Sequence, residues 1–348
     1  MRDLVDPERL AAWMDAQGLA PGAPLSVTRI TTGHSNEVFR VERAGLRLAL
    51  RRPPRTPLSP TAHDMAREYR LIGAFRRPEG WPAGAEPVPV PEPVALCTDP
   101  GVIGAPFYLM TLLDAVVVRD RLPAPLAADP DAGRACSWAL VDALAGIHAF
   151  DWRAGGLADF GRPDGYLERQ VPRWLGQLER YRTRALPEVD EAGRWLAAHV
   201  PPMPAPTVIH GDYKLDNVMF APSLPVELVA VVDWEQATVG DPLVDLGWML
   251  GLWPDPGEPA ALAGAAPLGG SAPTRAELAA RYAARTGRDL THLVFYCVLG
   301  LFKLACVMEG SYARFRAGTS DDAFFATLAD GVPALARRAL EFAARGSV

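Results

Sequence analysis

The segment His210-Gly211-Asp212-Tyr213-Lys214-Leu215-Asp216-Asn217, followed after a short interval by Asp233-Trp234-Glu235, constrains this chain more than any other stretch. Each half follows an apolar run, Thr207-Val208-Ile209 and Val229-Ala230-Val231-Val232, so its polar residues sit in loops that leave short strands. The pattern H-x-D-x-K-x-x-N with a later strand-terminal Asp is the layout that phosphoryl transfer from a nucleotide requires. Asp212 is expected to meet the acceptor hydroxyl, while Asn217 and Asp233 offer oxygen ligands for Mg²⁺ on the nucleotide phosphates. Lys214, two residues beyond Asp212, can reach the migrating phosphoryl group. Taken singly, Asp212 and Asn217 also read as Asx-turn residues; the second Asp makes the joint pattern specific. His210 has no second histidine at metal-pair spacing, so a structural role is assigned to it, with its ring tied to the backbone.

At 348 residues, 49% of them hydrophobic, the chain has material for two packed lobes. A net charge of -6 gives no global basic field, which argues against a nucleic-acid partner. Cys97, Cys136, Cys297 and Cys306 are widely separated and suggest neither zinc nor a disulfide framework, so reduced thiols in a cytoplasmic protein are expected. The N-terminal residues lack an apolar targeting core, and the apolar stretch from Leu293 to Met308 is broken by Lys303. That stretch reads as a buried helix rather than a membrane span. Lysine occurs only at Lys214 and Lys303 in a chain rich in arginine.

Spacing predicts an opening helix over 4–17, strands over Leu25–Ile30, Glu37–Glu42 and Leu46–Arg51, and a helix over Thr61–Phe75. Further strands are expected around Val94–Leu96 and Phe107–Leu112. Beyond Asp114 the pattern turns helical, over Ala132–His148, Arg169–Arg184 and Asp190–His199. Asp241-Pro242 reads as a helix start for Leu243–Leu252. Helices over Thr274–Thr286, Leu290–Arg316 and Asp321–Arg345 close the chain, after a Gly/Pro/Ala-rich loop over Pro254–Pro273. The expected fold is α+β, with an N-terminal lobe over 1–112 and a C-terminal lobe over 113–348.

On these motifs the sequence resembles the aminoglycoside phosphotransferase family, which shares the bilobal protein-kinase-like fold and includes choline and homoserine kinases. Asp233-Trp234-Glu235 and Gly240-Asp241-Pro242-Leu243-Val244-Asp245-Leu246 favour this branch over protein kinases, as does the absence of Ala-Pro-Glu after Asp233. A closer resemblance, to kinase-like domains associated with acyl-CoA dehydrogenases, is carried by Gly33-His34-Ser35-Asn36, Leu50-Arg51-Arg52-Pro53-Pro54, Arg67-Glu68-Tyr69-Arg70, Gly161-Arg162-Pro163, Arg169-Gln170-Val171 and Asp233-Trp234-Glu235-Gln236-Ala237-Thr238. The resemblance implies a small antiparallel-sheet lobe with one helix, a larger helical lobe, and ATP with Mg²⁺ as cofactors, GTP being the alternative nucleotide. It implies that Gly33, His34, Ser35 and Asn36 approach the phosphates, although one glycine stands where a phosphate-cradling loop has three. Ala49 would cover the adenine. Met110 would line its pocket, and backbone groups from Thr111 and Leu112 onward would read its edge.

Strand parity places Ala49 and the cation Arg51 on one face, so Arg51 is preferred over Arg52 as the phosphate neutraliser where kinases use lysine. Glu68 on the following helix is its expected ion-pair partner. Residues 153–184 carry seven arginines against four acids, which favours an anionic small-molecule acceptor over a polycationic aminoglycoside. Arg162, Arg169 and Arg173 are candidates to grip it, with Trp174, Tyr166, Tyr213 and Trp234 as apolar walls and Glu235 as a further substrate contact. The expected acceptor is a hydroxy acid or hydroxyacyl-CoA. The rival readings are an aminoglycoside, choline or homoserine kinase and a nucleotide-binding pseudokinase module; the oligomeric state is left open.

Overall fold

A computed structural model describes residues 4–30, 36–54, 63–119, 121–258, 261, 268, 271–320 and 323–348. Helix α1 (Pro7–Ala16) begins where Asp6 caps the amides of Glu8 and Arg9, and its buried Leu10 and Met14 pack on the sheet that follows. That sheet comprises β1 (Ser26–Ile30), β2 (Glu37–Arg43), β3 (Leu46–Arg52), β4 (Pro93–Cys97) and β5 (Phe107–Thr111) in the order β1-β2-β3-β5-β4, every pairing antiparallel. Alternation along β3 and β5 sorts its two faces. Leu48, Leu50, Phe107 and Leu109 pack toward α1, whereas Tyr108 and Met110 join the main core on the other side. Helix α2 (Met65–Phe75), capped by Asp64, packs against β4 and β5.

The rest of the chain is mainly helical: α3 (Ala132–Ala149), α4 (Gln170–Leu178), α5 (Pro187–Ala198), α6 (Leu243–Leu252), α7 (Arg275–Thr286), α8 (Leu293–Arg316) and α9 (Ala323–Arg345). Together the sheet lobe and the helical lobe make a bilobal kinase-like α+β fold. Two short ribbons carry the motif loops. Strand β6 (Thr207–Ile209) pairs with β9 (Thr238–Gly240), and β7 (Val218–Phe220) with β8 (Leu228–Val231). Strands β7 and β9, three residues each, are too short to show a period in the sequence.

Helix α4 ends at Leu178, earlier than its apolar spacing predicts. Beyond it Arg182 pairs with Asp190 and Arg184 with Glu309, which draws the chain off the helical track. Helix α8 is long and apolar enough to cross a membrane, yet 83% of its most apolar window is buried here, where it packs on α6 and α9. It is the core helix of the larger lobe. Part of the Pro254–Pro273 loop lies outside the described residues.

Candidate active site

The ribbons bring the two halves of the motif together. Val218 stands opposite Val231, and the amide of Val232 donates to the carbonyl of Asn217 at 2.9 Å, so Asn217 lies across from the residue that precedes Asp233. Asp233 itself adopts the left-handed conformation, φ 66° and ψ 59°, a sharp exit from the strand that sets its carboxylate apart from the ladder. Within the first loop, Lys214 Nζ donates to Asp212 Oδ2 at 2.7 Å and Asn217 Nδ2 to the same oxygen at 3.0 Å. Asn217 Nδ2 also donates to the Asp212 carbonyl at 2.7 Å, which leaves the amide oxygen as the atom available to a cation.

Three groups absent from the expected site hold this loop from beneath. Asp245, wholly buried on α6, accepts from the amides of His210 and Gly211 at 2.6 and 2.7 Å. His148 Nε2 lies 3.4 Å from Asp245 Oδ2, and its Nδ1 lies 2.7 Å from the Tyr282 hydroxyl. Lys303, buried on α8, donates to the Gly211 carbonyl. Burial raises Asp245, but hydrogen bonds from His148 and His210 prevail and hold it below the usual carboxylate range. The His210 ring is tied to the backbone, with Nε2 2.9 Å from the Val232 carbonyl.

From the sheet lobe, Arg51 reaches the same centre. Its Nε donates to Glu68 Oε2 at 3.0 Å, a second nitrogen pairs with Asp233, and Glu235 lies 3.9 Å away. Glu68 uses its other oxygen to accept from the Trp234 amide at 3.1 Å, so one buried carboxylate joins α2, β3 and the loop of Asp233. Burial pushes Glu68 up to about 7, with Asp233 and Glu235 adding to the rise and Arg51 opposing it. Arg52 faces the opposite side, donating to carbonyls of Pro53, Leu4 and Ile103. Ala49 shares the face of Arg51 and is buried.

Several expected contacts are redistributed. Tyr213 is a correction: it is fully buried and its hydroxyl donates to the Leu140 carbonyl at 2.7 Å, so it braces the loop and cannot touch substrate. Trp234 is another. It is buried against Phe75 and His210 and donates to the Val231 carbonyl, serving as core packing. The amides of Thr111 and Leu112 are committed to the carbonyls of Glu92 and Arg47, at 2.9 and 3.1 Å, and are not free donors for an adenine edge. Met110 is half-buried on the inner face of β5. Asn36 crosses between the lobes to Glu235. Gly33, His34 and Ser35 lie outside the described residues.

Beside the loop a cleft of about 1650 Å³ opens between α4, α6 and α8 and extends to Gly211 and Glu235. Arg162 lines it. Arg169 does too, but its guanidinium donates to the carbonyls of Asp164 and Arg162, so it shapes the loop ahead of α4.

This arrangement has counterparts among known proteins. Residues 26–281 match the family model described as the phosphotransferase enzyme family, APH. The chain belongs to that family. A protein of Ralstonia eutropha JMP134, provisionally named an aminoglycoside phosphotransferase, superimposes with a TM-score of 0.79 at 32% identity, covering 97% of this chain and 98% of its own. As an APH member the chain is a small-molecule phosphotransferase that uses an alcohol group as acceptor. It is also 34% identical, over 332 residues, to acyl-CoA dehydrogenase family member 11 of Gallus gallus; the match covers 93% of this chain and 41% of that relative. The chain thus spans less than half the length of this curated relative. A thermostable APH(4)-Ia variant, solved with ADP and hygromycin B, shares the fold at a TM-score of 0.57 and 14% identity, with coverage of 94% and 97%.

Proposed function

We propose that this APH-family phosphotransferase transfers the γ-phosphate of ATP to the hydroxyl of an anionic small molecule, a hydroxy acid or hydroxyacyl-CoA. The observation that carries this reading is the charge of the cleft beside the catalytic loop. Arg67, Arg162, Arg169, Arg173, Arg180, Arg314 and Lys303 line it, against Asp159, Glu168 and Glu235. A polycationic sugar calls for the reverse balance. The volume of the cleft and the acyl-CoA dehydrogenase relative both support an extended acyl acceptor.

On this reading residues 1–112 carry the nucleotide and residues 113–348 the acceptor, in the cytoplasm. Binding of ADP by the APH(4)-Ia neighbour supports a nucleotide between the lobes. Asn217 and Asp233 fit a Mg²⁺ ion: both offer oxygen, their loops are adjacent, and nucleotide phosphates and water complete a coordination shell that hard cations accept. The ion, when bound, neutralises charge on the phosphate oxygens. Arg51, oriented by Glu68, contributes a further positive charge from the sheet. Asp212, with one oxygen held by Lys214 and Asn217, keeps the other to orient the acceptor hydroxyl and take its proton.

The test is a panel of hydroxy acids, hydroxyacyl-CoAs, choline, homoserine and kanamycin-type sugars, incubated with ATP and Mg²⁺ and read by mass shift. Phosphate is expected on the anionic members. Its appearance only on the cationic sugars defeats the reading, and no transfer to any member beyond that of Asp212→Asn favours a binding module. Glu68→Gln is expected to raise the KM for ATP by roughly tenfold to a hundredfold, the effect of losing a charged hydrogen bond. The amide can still accept from Trp234 but cannot balance Arg51. An unchanged KM in steady-state kinetics removes Glu68 from nucleotide binding.

A further inference from the structure

We infer that the inner end of the cleft is an anion subsite, built by Lys303 and Arg173 about the Trp174 ring, which takes a carboxylate or phosphate group of the acceptor. The inference rests on the proposal that this cleft receives an anionic acceptor. Lys303 lines the cleft although it is only 7% exposed. Its ammonium lies 4.5 and 5.4 Å from the ring centroids of Trp248 and Trp174 and donates to the Gly211 carbonyl. An ammonium has three N–H donors, and aromatic faces are weak partners for them. Among the described residues no carboxylate lies within ion-pair distance of it.

The charge is therefore under-compensated. Burial pushes Lys303 down to about 8, although Asp212 and Asp245 pull it upward; Arg173 and Lys214 add to the fall. Arg173 stands on α4 with its guanidinium 5.0 Å from the same Trp174 ring. It too lines the cleft and has no carboxylate partner among the described residues. Two cations thus flank one indole with no acid paired to either, and an incoming anion supplies the missing charge. Because Lys303 is bonded to Gly211, an anion held there lies next to the residue that precedes Asp212. Acceptors whose hydroxyl is a short chain away from an anionic group are the ones this geometry selects.

The test titrates inorganic phosphate into the full chain saturated with a non-hydrolysable ATP analogue and Mg²⁺, so that the nucleotide's own phosphate sites are filled. Tryptophan fluorescence is followed, because Trp174 and Trp248 frame Lys303. Wild type is expected to show saturable binding, Lys303→Met to weaken it by roughly tenfold or more, and Lys303→Arg to restore most of it. Absence of saturable binding, or equal affinity in Lys303→Met, overturns the subsite. Turnover of 4-hydroxybutyrate against 1,4-butanediol separates this inference from the proposal beneath it. Loss of an anionic preference in Lys303→Met, with the KM for ATP unmoved, supports the subsite. A preference that survives in Lys303→Met overturns the subsite alone, whereas a wild-type preference for the neutral diol overturns the anionic-acceptor proposal and the subsite together.

Discussion

Asp212→Asn is expected to lower kcat by roughly 10²–10⁴-fold, with the affinity for ATP changed by less than about threefold. The substitution keeps the shape of the side chain and an oxygen able to accept from Lys214 and Asn217, whose bonds to Asp212 Oδ2 are 2.7 and 3.0 Å long. It removes the charge that the proposed proton-accepting role requires. On the proposed roles, nucleotide affinity would rest on Arg51, Glu68 and Asp233, which stand on other elements, and on Asn217 of the same loop, whose amide can still donate to the retained oxygen. Single-turnover kinetics and equilibrium binding of a fluorescent ATP analogue separate the two quantities. Equal turnover in wild type and variant removes Asp212 from the chemistry, and a parallel loss of binding means that the loop has collapsed.

The parts of the fold most legible in the sequence are those governed by a period. Strand parity sets Ala49 and Arg51 on one face of β3 and Leu48 and Leu50 on the other, and helical spacing brings Glu68 in line with Met65 and Ile72. The meeting of Arg51 with Glu68 follows from two such periods. Loops have no period. Tyr213 and Trp234 each directly follow a site residue in sequence, yet each turns inward, and adjacency alone carries no information about direction. Asp245 and Lys303 were harder still. Their partners lie 35 and 92 residues away, and each sits in an apolar helix whose composition speaks only of burial. A charged residue in such a helix is itself a signal, since an unpaired buried charge is costly. For Lys303 that signal was legible; its partner, a backbone carbonyl, was not.

Asp245→Ala is expected to destabilise the protein by roughly 3–5 kcal/mol, because the amides of His210 and Gly211 lose a buried acceptor and His148 loses its charged partner. Asp245→Asn, which keeps one carbonyl oxygen, should fall between the two. Urea unfolding measures the difference, provided that the slope with denaturant is unchanged. An ionised Asp245 only accepts, so His148 carries its proton on Nε2 and Tyr282 donates to Nδ1. Burial holds His148 below its ordinary value of 6.5, and the hydrogen bonds to Asp245 hold that carboxylate below 3.8 despite its burial. A group depressed in the folded state contributes stability above its unfolded value and loses it as pH falls through the folded one. The His148 contribution therefore begins to decline below about pH 6.5, and that of Asp245 below about 3.8. Without Asp245 nothing offsets the burial of His148, so its folded value drops further and the decline continues to lower pH. A variant as stable as wild type from neutral to mildly acidic pH shows instead that the loop of Asp212 is held by Lys303 and the ribbons alone.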